Sequence, residues 1–393
     1  MTSVKHFHSA MVGAPALTGA AGTLIAVLDA CLITGFGLKT AQSLVVTSGV
    51  ATMTFSTAHS FERDTVALLA GASTAELNGE QRITAVTALT ASFLAPGVAD
   101  GPVAGTITAK LAPAGWEKPF SGSSVAVYRS TNITGSRMFL RVDDSNALNS
   151  RVIGYEAMSD VNTGVGPFPN ANQVAGGAYW PKAASAGSAA LSWTVAADSL
   201  GFYLHMHTTT TAPGSAGSVW YFGDFASWRN GDPYACALFA DTAANSGSGS
   251  VQARSVEYAS QAAGNGPFIA RSFTGLGGSV QAVNGCESYQ SNASGSAGTM
   301  SMLAAPTYPN GPNNGLLLSR KILTEPSVCL RGFMPGLLMP VQNCHMAFGW
   351  RDKIDGQGGQ AGRRLLAVKC GGSASSNSQG LVFLDITGPW EYA

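Results

Sequence analysis

The sequence predicts a mainly β protein, with a small N-terminal helix, a small antiparallel β-module and a larger β-sandwich or jelly-roll-like body that carries long loops. Three observations support this fold class. Apolar and polar residues alternate in several short runs, and turn-forming residues separate those runs. Only 11% of the 393 residues are charged, whereas 48 are glycine, which is typical of β-rich chains with elaborate loops.

Three consecutive parts are expected along the chain. Residues 1–40 are predicted to form an N-terminal arm and helix, residues 41–113 the β-module, and residues 114–393 the body. The run Ala-Pro-Ala-Gly at 112–115 is typical of a linker, because proline and glycine interrupt regular structure. It therefore marks the boundary between the module and the body.

The first 20 residues are polar and rich in glycine and alanine. His6 and His8 lie two positions apart, a spacing that can bind a metal ion. We favour a simpler interpretation, in which these residues belong to a solvated arm that orders against a neighbouring subunit.

One helical pattern follows the arm. From Leu24 to Leu32, apolar residues recur three and four positions apart, which predicts a helix with one buried face. Gly35 ends the pattern. A membrane span needs about 20 uninterrupted apolar residues. Asp29 interrupts this run, so the sequence predicts a core helix and no membrane span.

The β-module is the clearest local pattern in the chain. Alternating runs occur at Ala51–Phe55, at Arg82–Val86 and in the stretch that ends at Leu111. Between them lie Asn78-Gly79 and Asp100-Gly101, dipeptides that accept the positive φ angles of tight turns. These features predict an antiparallel sheet of about five strands joined by hairpins.

The body is predicted to contain further strands separated by long loops. Residues 160–178 are rich in glycine, asparagine and proline and are expected to form a long ordered loop. The predicted strands are Ser124–Tyr128, Met138–Val142, Leu191–Ala196, Gly201–His207, Ser218–Phe222, Ala235–Phe239, Leu365–Lys369 and Leu381–Ile386.

The densest group of aromatic residues lies between residues 220 and 228. Aromatic side chains in such a group usually belong to a hydrophobic core, but exposed members can stack against sugar rings. Carboxylate and amide side chains beside them would then bind sugar hydroxyls. The candidate carbohydrate-binding residues are Trp220, Tyr221, Trp228, Asp224 and Asn230.

A second candidate site involves two histidines of one predicted strand. Alternation places Tyr203, His205 and His207 on the same strand face. The two imidazoles could ligate zinc with a third ligand such as His345, as in a metal-dependent hydrolase. We favour polar residues on a solvated or interfacial strand face, since no third ligand stands at a fixed spacing. No metal and no cofactor are therefore assigned.

The charge and cysteine content exclude several classes of protein. Lysine and arginine number 22 and aspartate and glutamate 22, so no basic tract indicates nucleic-acid binding. A chain with zero net charge associates readily with other subunits. The six cysteines form no C-x-x-C pair and are widely spaced. This pattern predicts buried free thiols in a protein made in a reducing cytoplasm.

Catalytic motifs are also missing from the sequence. It contains no G-x-S-x-G, no phosphate-binding glycine loop, no H-E-x-x-H and no dinucleotide fingerprint. No short repeat indicates a parallel β-helix. The sequence therefore predicts a protein without enzymatic activity.

The module segment resembles a β-module common in virion proteins of tailed bacteriophages. The similarity lies in His59-Ser60-Phe61, Gly71-Ala72-Ser73, Leu77-Asn78-Gly79 and the run Ile83–Val86. That module is named after the first catalytic cysteine half-domain (FCCH) of ubiquitin-activating enzymes, but residues 41–113 contain no cysteine and no ubiquitin chemistry is implied. Serine at 60 and arginine at 63 stand where the family usually has glycine.

Segments outside the module resemble proteins encoded among phage and prophage structural genes. They include residues 31–39, 111–116, 138–155 and 362–390. The resemblance implies a structural virion protein of the tail tip or baseplate, assembled in the host cytoplasm. Its partners would be other tail subunits and further copies of itself in a trimer or hexamer. Alternatives are a carbohydrate-binding tail protein that attaches to the host and a capsid decoration protein.

Overall fold

A computed structural model describes residues 4–210, 217–244, 255–257, 266–285, 307–311, 313–326, 329–342, 344–371 and 379–392. Within these residues the protein is mainly β, with one short N-terminal α-helix, antiparallel sheets and one sheet curled into a half-barrel. The predicted fold class is confirmed. All strand pairs given below are antiparallel.

The N-terminal residues form two strands and the predicted helix. Strand β1 spans Lys5–His8, β2 spans Leu17–Gly19 and α1 spans Thr23–Leu28, followed by a π-helical segment at Asp29–Thr34. The apolar face predicted between residues 24 and 32 is buried. The segment ends at Gly35, whose φ of 68° favours glycine.

The arm differs from the expected solvated segment. Strand β1 pairs with residues 194–197 of the same chain, and its four residues are buried. The alternation in Lys5–His8 is too short and too polar to predict a strand by itself. Its burial comes from pairing with a distant part of the chain.

Eight strands of the module form one sheet. In space their order is β3-β10-β6-β7-β8-β5-β4-β9, and a short 3₁₀ turn at Ala75–Leu77 precedes β7. The strands are β3 (Lys39–Thr40), β4 (Ser43–Thr47), β5 (Val50–Thr54), β6 (Val66–Ala70), β7 (Gly79–Val86), β8 (Thr90–Leu94), β9 (Gly101–Pro102) and β10 (Thr108–Leu111).

The body contains the remaining strands and a 3₁₀ turn at Gly358–Gln360. Its first half comprises β11 (Trp116–Gly122), β12 (Val125–Ser130), β13 (Phe139–Asp143), β14 (Asn149–Met158), β15 (Gly164–Phe168), β16 (Ala178–Pro181), β17 (Gly187–Leu191), β18 (Trp193–Ala197), β19 (Gly201–Met206), β20 (Ser218–Asp224), β21 (Ala226–Ser227) and β22 (Cys236–Phe239). Its second half comprises β23 (Phe268–Ile269), β24 (Val280–Gln281), β25 (Val283–Gly285), β26 (Leu318–Glu325), β27 (Cys329–Pro340), β28 (Lys353–Asp355), β29 (Arg364–Gly371) and β30 (Gln379–Asp385).

Three sheets build the body. The outer sheet has the order β11-β12-β13-β14-β15, with β16 on β14, and the central sheet has the order β1-β18-β19-β20-β22-β23-β24. The C-terminal sheet has the order β25-β26-β27-β30-β29-β28, with β21 on β27. A small pair, β2 and β17, lies apart from them.

The central sheet is buried on both faces. Phe202 and Trp220 belong to the hydrophobic core shared with the outer sheet, the helix and the module. Tyr203 and Tyr221, one position further along each strand, belong to the core shared with the C-terminal sheet. This two-sided burial explains why β19 and β20 are almost continuously apolar, since strands covered on both faces lose the polar half of the alternation.

The predicted loop at residues 160–178 is partly wrong. It contains β15, which pairs with β14 from Gly164 to Phe168. Glycine and proline can occupy a strand at the edge of a sheet, because one side of such a strand needs no ladder hydrogen bonds. The sequence composition therefore indicated a loop where an edge strand forms.

A buried ion pair fixes the helix to the outer sheet. Asp144 and Lys182 are both fully buried and hydrogen-bonded to each other. The Asp144 carboxylate also accepts the backbone N–H of Leu24 at 2.8 Å and the Ser150 hydroxyl at 2.6 Å. Burial lowers the pKa of Lys182, and its ammonium also donates to the Ala20 carbonyl at 2.7 Å. Every charged atom of the pair is therefore compensated.

Charged side chains connect the module to the C-terminal sheet. Arg82 of β7 donates to the carbonyls of Ile386 and Thr387, both at 2.9 Å. Glu62 lies 2.8 Å from the His8 ring nitrogen and 3.1 Å from the Lys353 ammonium. Against the opposing effect of burial, His8 and then Lys353 lower its pKa to about 2. Because these bonds use backbone carbonyls and partly buried charges, they fix the orientation of the module against the body.

Candidate functional site

The exposed Trp228 lies on a turn that crosses between two sheets. The chain leaves the central sheet after β20, adds the short strand β21 to β27 of the C-terminal sheet, and returns as β22. The turn at 228–231 follows β21, and Gly231 adopts a φ of 66°. The Trp228 side chain is 66% exposed, while its backbone N–H donates to the Arg331 carbonyl at 3.0 Å. The indole is therefore presented from an anchored backbone.

A second buried ion pair supports this turn. Arg331 is fully buried, pairs with Asp232 and lies with its guanidinium 5.5 Å from the Phe225 ring centroid. Asp232 also accepts the Ser227 hydroxyl at 2.8 Å. Both contacts are made to Oδ2 of Asp232, and they hold both ends of the turn. The buried ion pair of Arg331 and Asp232 therefore fixes the turn that carries Trp228.

The turn borders a cleft of about 900 Å³. A volume of this size suits a ligand of several ring units. The lining residues come from four separate parts of the chain: Thr134, Gly135, Ser136, Leu200, Asp224, Phe225, Ser227, Trp228, Arg229, Asn230, Gly231, Asp232, Pro233, Ala235 and Tyr392.

Asp224 is the principal acidic group of the cleft wall. Burial raises its pKa to about 6, and the hydroxyl and backbone N–H of Ser136 donate to its two oxygens, the latter at 2.7 Å. Gly135 has no room for a side chain, since a Cβ there would lie 2.7 Å from an Asp224 oxygen. At pH 7 the group is mainly a carboxylate, which can accept hydrogen bonds from ligand hydroxyls.

The five predicted carbohydrate-binding residues do not share one surface. Trp228, Asp224 and Asn230 line the cleft, and Asn230 is exposed. Trp220 and Tyr221 are fully buried, on opposite faces of the central sheet. Neither ring offers a face to a ligand. Tyr221 instead supports the wall from below, because its hydroxyl donates to the Asp224 carbonyl.

The sequence did not predict the cleft residues that are distant from Asp224 along the chain. Gly135 and Ser136 lie in the turn between β12 and β13, 88 positions before Asp224 in the case of Ser136. Tyr392 comes from the C-terminal end, where its hydroxyl donates to Asp198 at 2.8 Å. No local pattern links these residues. Only the stacking of the three sheets brings them together.

The two candidate zinc ligands are buried side by side. The rings of His205 and His207 are 4.6 Å apart, and the Trp350 ring lies 5.2 Å from His207. The expected solvated or interfacial strand face is wrong, because this face packs under the C-terminal sheet. Burial lowers the pKa of His207 to about 4, and it lowers the pKa of His205 well below its ordinary value. Across the described part of the chain, no three or more His, Cys, Asp or Glu side chains are grouped to hold a metal ion.

Four of the six cysteines can be placed with their side chains. Cys31, Cys236, Cys344 and Cys370 are buried and free. The prediction of buried free thiols is confirmed for these four. Cys286 and the side chain of Cys329 lie outside the described residues.

The described helices include none that is long and apolar enough to cross a membrane. No protein-family model, curated protein or solved structure matches the chain. The candidate site is therefore defined by its own geometry: a cleft lined by the exposed Trp228 indole, the Asp224 carboxylate and the Asn230 amide.

Proposed function

We propose that this chain is a non-enzymatic structural component of a tailed-phage virion, located at the tail tip or baseplate, that acts through assembly with other subunits. The proposal is supported by the resemblance carried by residues 59–86 and by the composition. Other tail proteins and further copies of the chain, as a trimer or hexamer, are its proposed partners.

The observation that favours assembly is an uncharged outer face on the module. Three neighbouring strands, β4, β5 and β8, point nine side chains outward in register, and none of them is charged. Protein interfaces are depleted of charged residues at their centre, so such a face suits contact with another subunit. We call these residues the module face: Ser43, Val45, Thr47, Val50, Thr52, Thr54, Thr90, Ser92 and Leu94.

Gold labelling of virions tests this proposal. An antibody against the chain is expected to label the distal end of the tail in electron micrographs. Virions that encode Val45→Lys should lose the label, because a lysine in the module face must be desolvated on assembly. Leu38→Lys is the matched control, since Leu38 is an exposed apolar residue outside that face. Label over the head would indicate capsid decoration, and unlabelled wild-type particles would contradict the proposal.

A second candidate function is attachment to host carbohydrate through the cleft. It is favoured by the exposed indole of Trp228, which lines the same cleft as the Asp224 carboxylate and the Asn230 amide. An indole face stacks on the apolar face of a sugar ring, while carboxylate and amide groups bind its hydroxyls. This function is compatible with a place at the tail tip.

Replacing Trp228 by alanine is expected to weaken binding to an array of bacterial surface glycans by ~10-fold or more, since buried aromatic anchors dominate such contacts. The unfolding midpoint should stay unchanged, because the side chain is largely exposed. Ile133→Ala, which removes an exposed apolar residue outside the cleft, serves as the control. Equal glycan binding by wild type and the Trp228 variant would rule out a role for this cleft.

A further inference from the structure

Three polar residues, Asn284, Glu257 and Lys321, are buried between the central and C-terminal sheets. Asn284 is 1% exposed, Glu257 4% and Lys321 0%. Neither carboxamide atom of Asn284, nor Oε1 of Glu257, has a hydrogen-bond partner among the described residues. An amide buried without any hydrogen bond costs free energy and requires an explanation.

Strand register brings the amide and the amine together. Asn284 on β25 lies directly opposite Leu323 on β26, so these two side chains share a face of the sheet. Lys321 is two residues from Leu323 on the same strand and therefore points to that face as well. Such diagonal neighbours lie about 7–8 Å apart, within reach of a long side chain.

Glu257 interacts electrostatically with the same amine. Its Oε2 accepts the backbone N–H of Val219 at 2.9 Å, which leaves Oε1 facing the core. Burial raises the pKa of Glu257 to about 7, and the charge of Lys321 acts in the opposite direction. Burial also raises the pKa of the Cys370 thiol. The charge of Glu257 raises this pKa further, whereas the charge of Lys321 lowers it.

We propose that Lys321 and Asn284 join in an intramolecular isopeptide bond, with Glu257 as the group that transfers protons between them. Glu257 takes a proton from the Lys321 ammonium, and the neutral amine attacks Cγ of Asn284. The new Nζ–Cγ bond forms as the Cγ–Nδ2 bond breaks and Glu257 delivers its proton to Nδ2, which leaves as ammonia. Glu257 then accepts the remaining excess proton from Nζ and passes it to the ammonia.

The reaction balances without an added reagent. One amine and one carboxamide give one secondary amide and one ammonia, and no atom is oxidised or reduced. The enclosed position holds the reacting groups together and excludes water, which favours amide formation over hydrolysis. The bond would connect β25 covalently to β26.

Intact-mass spectrometry of the reduced, full-length protein tests the proposal. The wild type is expected to be lighter than its sequence by one ammonia, and digestion should yield one branched peptide containing Lys321 and Asn284. Lys321→Arg, Asn284→Ala and Glu257→Gln should each have the full mass of their sequences. Lys39→Arg, which alters a lysine of the module, should remain lighter by one ammonia.

The wild-type spectrum is decisive even if a variant fails to fold. A wild-type mass equal to the sequence mass overturns the proposal and leaves Lys321 and Glu257 as charges that interact without a bond. An ammonia loss that peptide mapping assigns to another asparagine overturns it as well.

Discussion

Replacing Lys182 by methionine is expected to lower the free energy of unfolding by roughly 3–5 kcal/mol, since the variant leaves a buried carboxylate without its cation. Asp144 is fully buried and cannot recover the lost charge from water. Its carboxylate also holds the first turn of α1 through the Leu24 N–H. The substitution should therefore disturb the contact between the helix and the outer sheet. Urea unfolding followed by tryptophan fluorescence measures the loss.

A matched control uses an exposed ion pair. Arg320 and Glu391 are paired at 3.3 Å with side chains 48% and 65% exposed. Glu391→Gln should change the free energy of unfolding by less than about 1 kcal/mol. The double variant Lys182→Met with Asp144→Asn should recover part of the loss, because it no longer buries an unpaired charge. A loss below about 1 kcal/mol for Lys182→Met would show that this pair is not important for stability.

Two buried histidines are expected to make the protein less stable in mild acid, at pH values where carboxylates with ordinary pKa values are still ionised. The native pKa of His207 is about 4, and that of His205 is also far below the ordinary value of 6.5. Below pH 6.5 the unfolded chain binds protons that the native histidines do not bind, so stability falls as the pH falls. Each histidine contributes up to about 1.4 kcal/mol per pH unit, until the pH reaches its native pKa.

Unfolding free energies at pH 7.5, 6.0 and 5.0 measure this loss. His207→Phe should make the decline between pH 6.0 and 5.0 shallower, and His205→Phe should do the same. The comparison concerns the slope with pH, so a constant stability change caused by repacking beside Trp350 does not affect it. Identical slopes in the wild type and both variants would show that neither histidine is responsible.

Local patterns in the sequence predicted the elements that depend on local contacts. The helix, the hairpins of the module and the closing strands β29 and β30 each show a clear period and clear turn residues. Strand β1 could not be predicted in this way, because it is stabilised by pairing with β18. The edge strand β15 was missed because glycine and proline are as compatible with an edge as with a loop.

Only the residues of the candidate site that are close together in the sequence were predicted. Trp228, Asp224 and Asn230 lie within one short stretch, so aromatic density alone indicated them. Trp220 and Tyr221 were wrongly predicted to bind carbohydrate, because aromatic density alone does not show whether a strand is covered on one face or on both. The nearly continuous apolar run at 218–223 was a usable signal of burial on both faces. Ser136 and Tyr392 could not be inferred, since only the tertiary fold brings them to Asp224.

The pairing of β1 also determines the order in which the newly made chain can fold. The module pairs only strands between residues 39 and 111, so it can fold while the ribosome is still translating the body. Strand β1 must wait until residues 194–197 have emerged, roughly 190 residues later, which takes ~10–40 s at about 5–20 residues per second. Throughout that interval His6 and Phe7 lack their strand partner, and a chaperone can bind them.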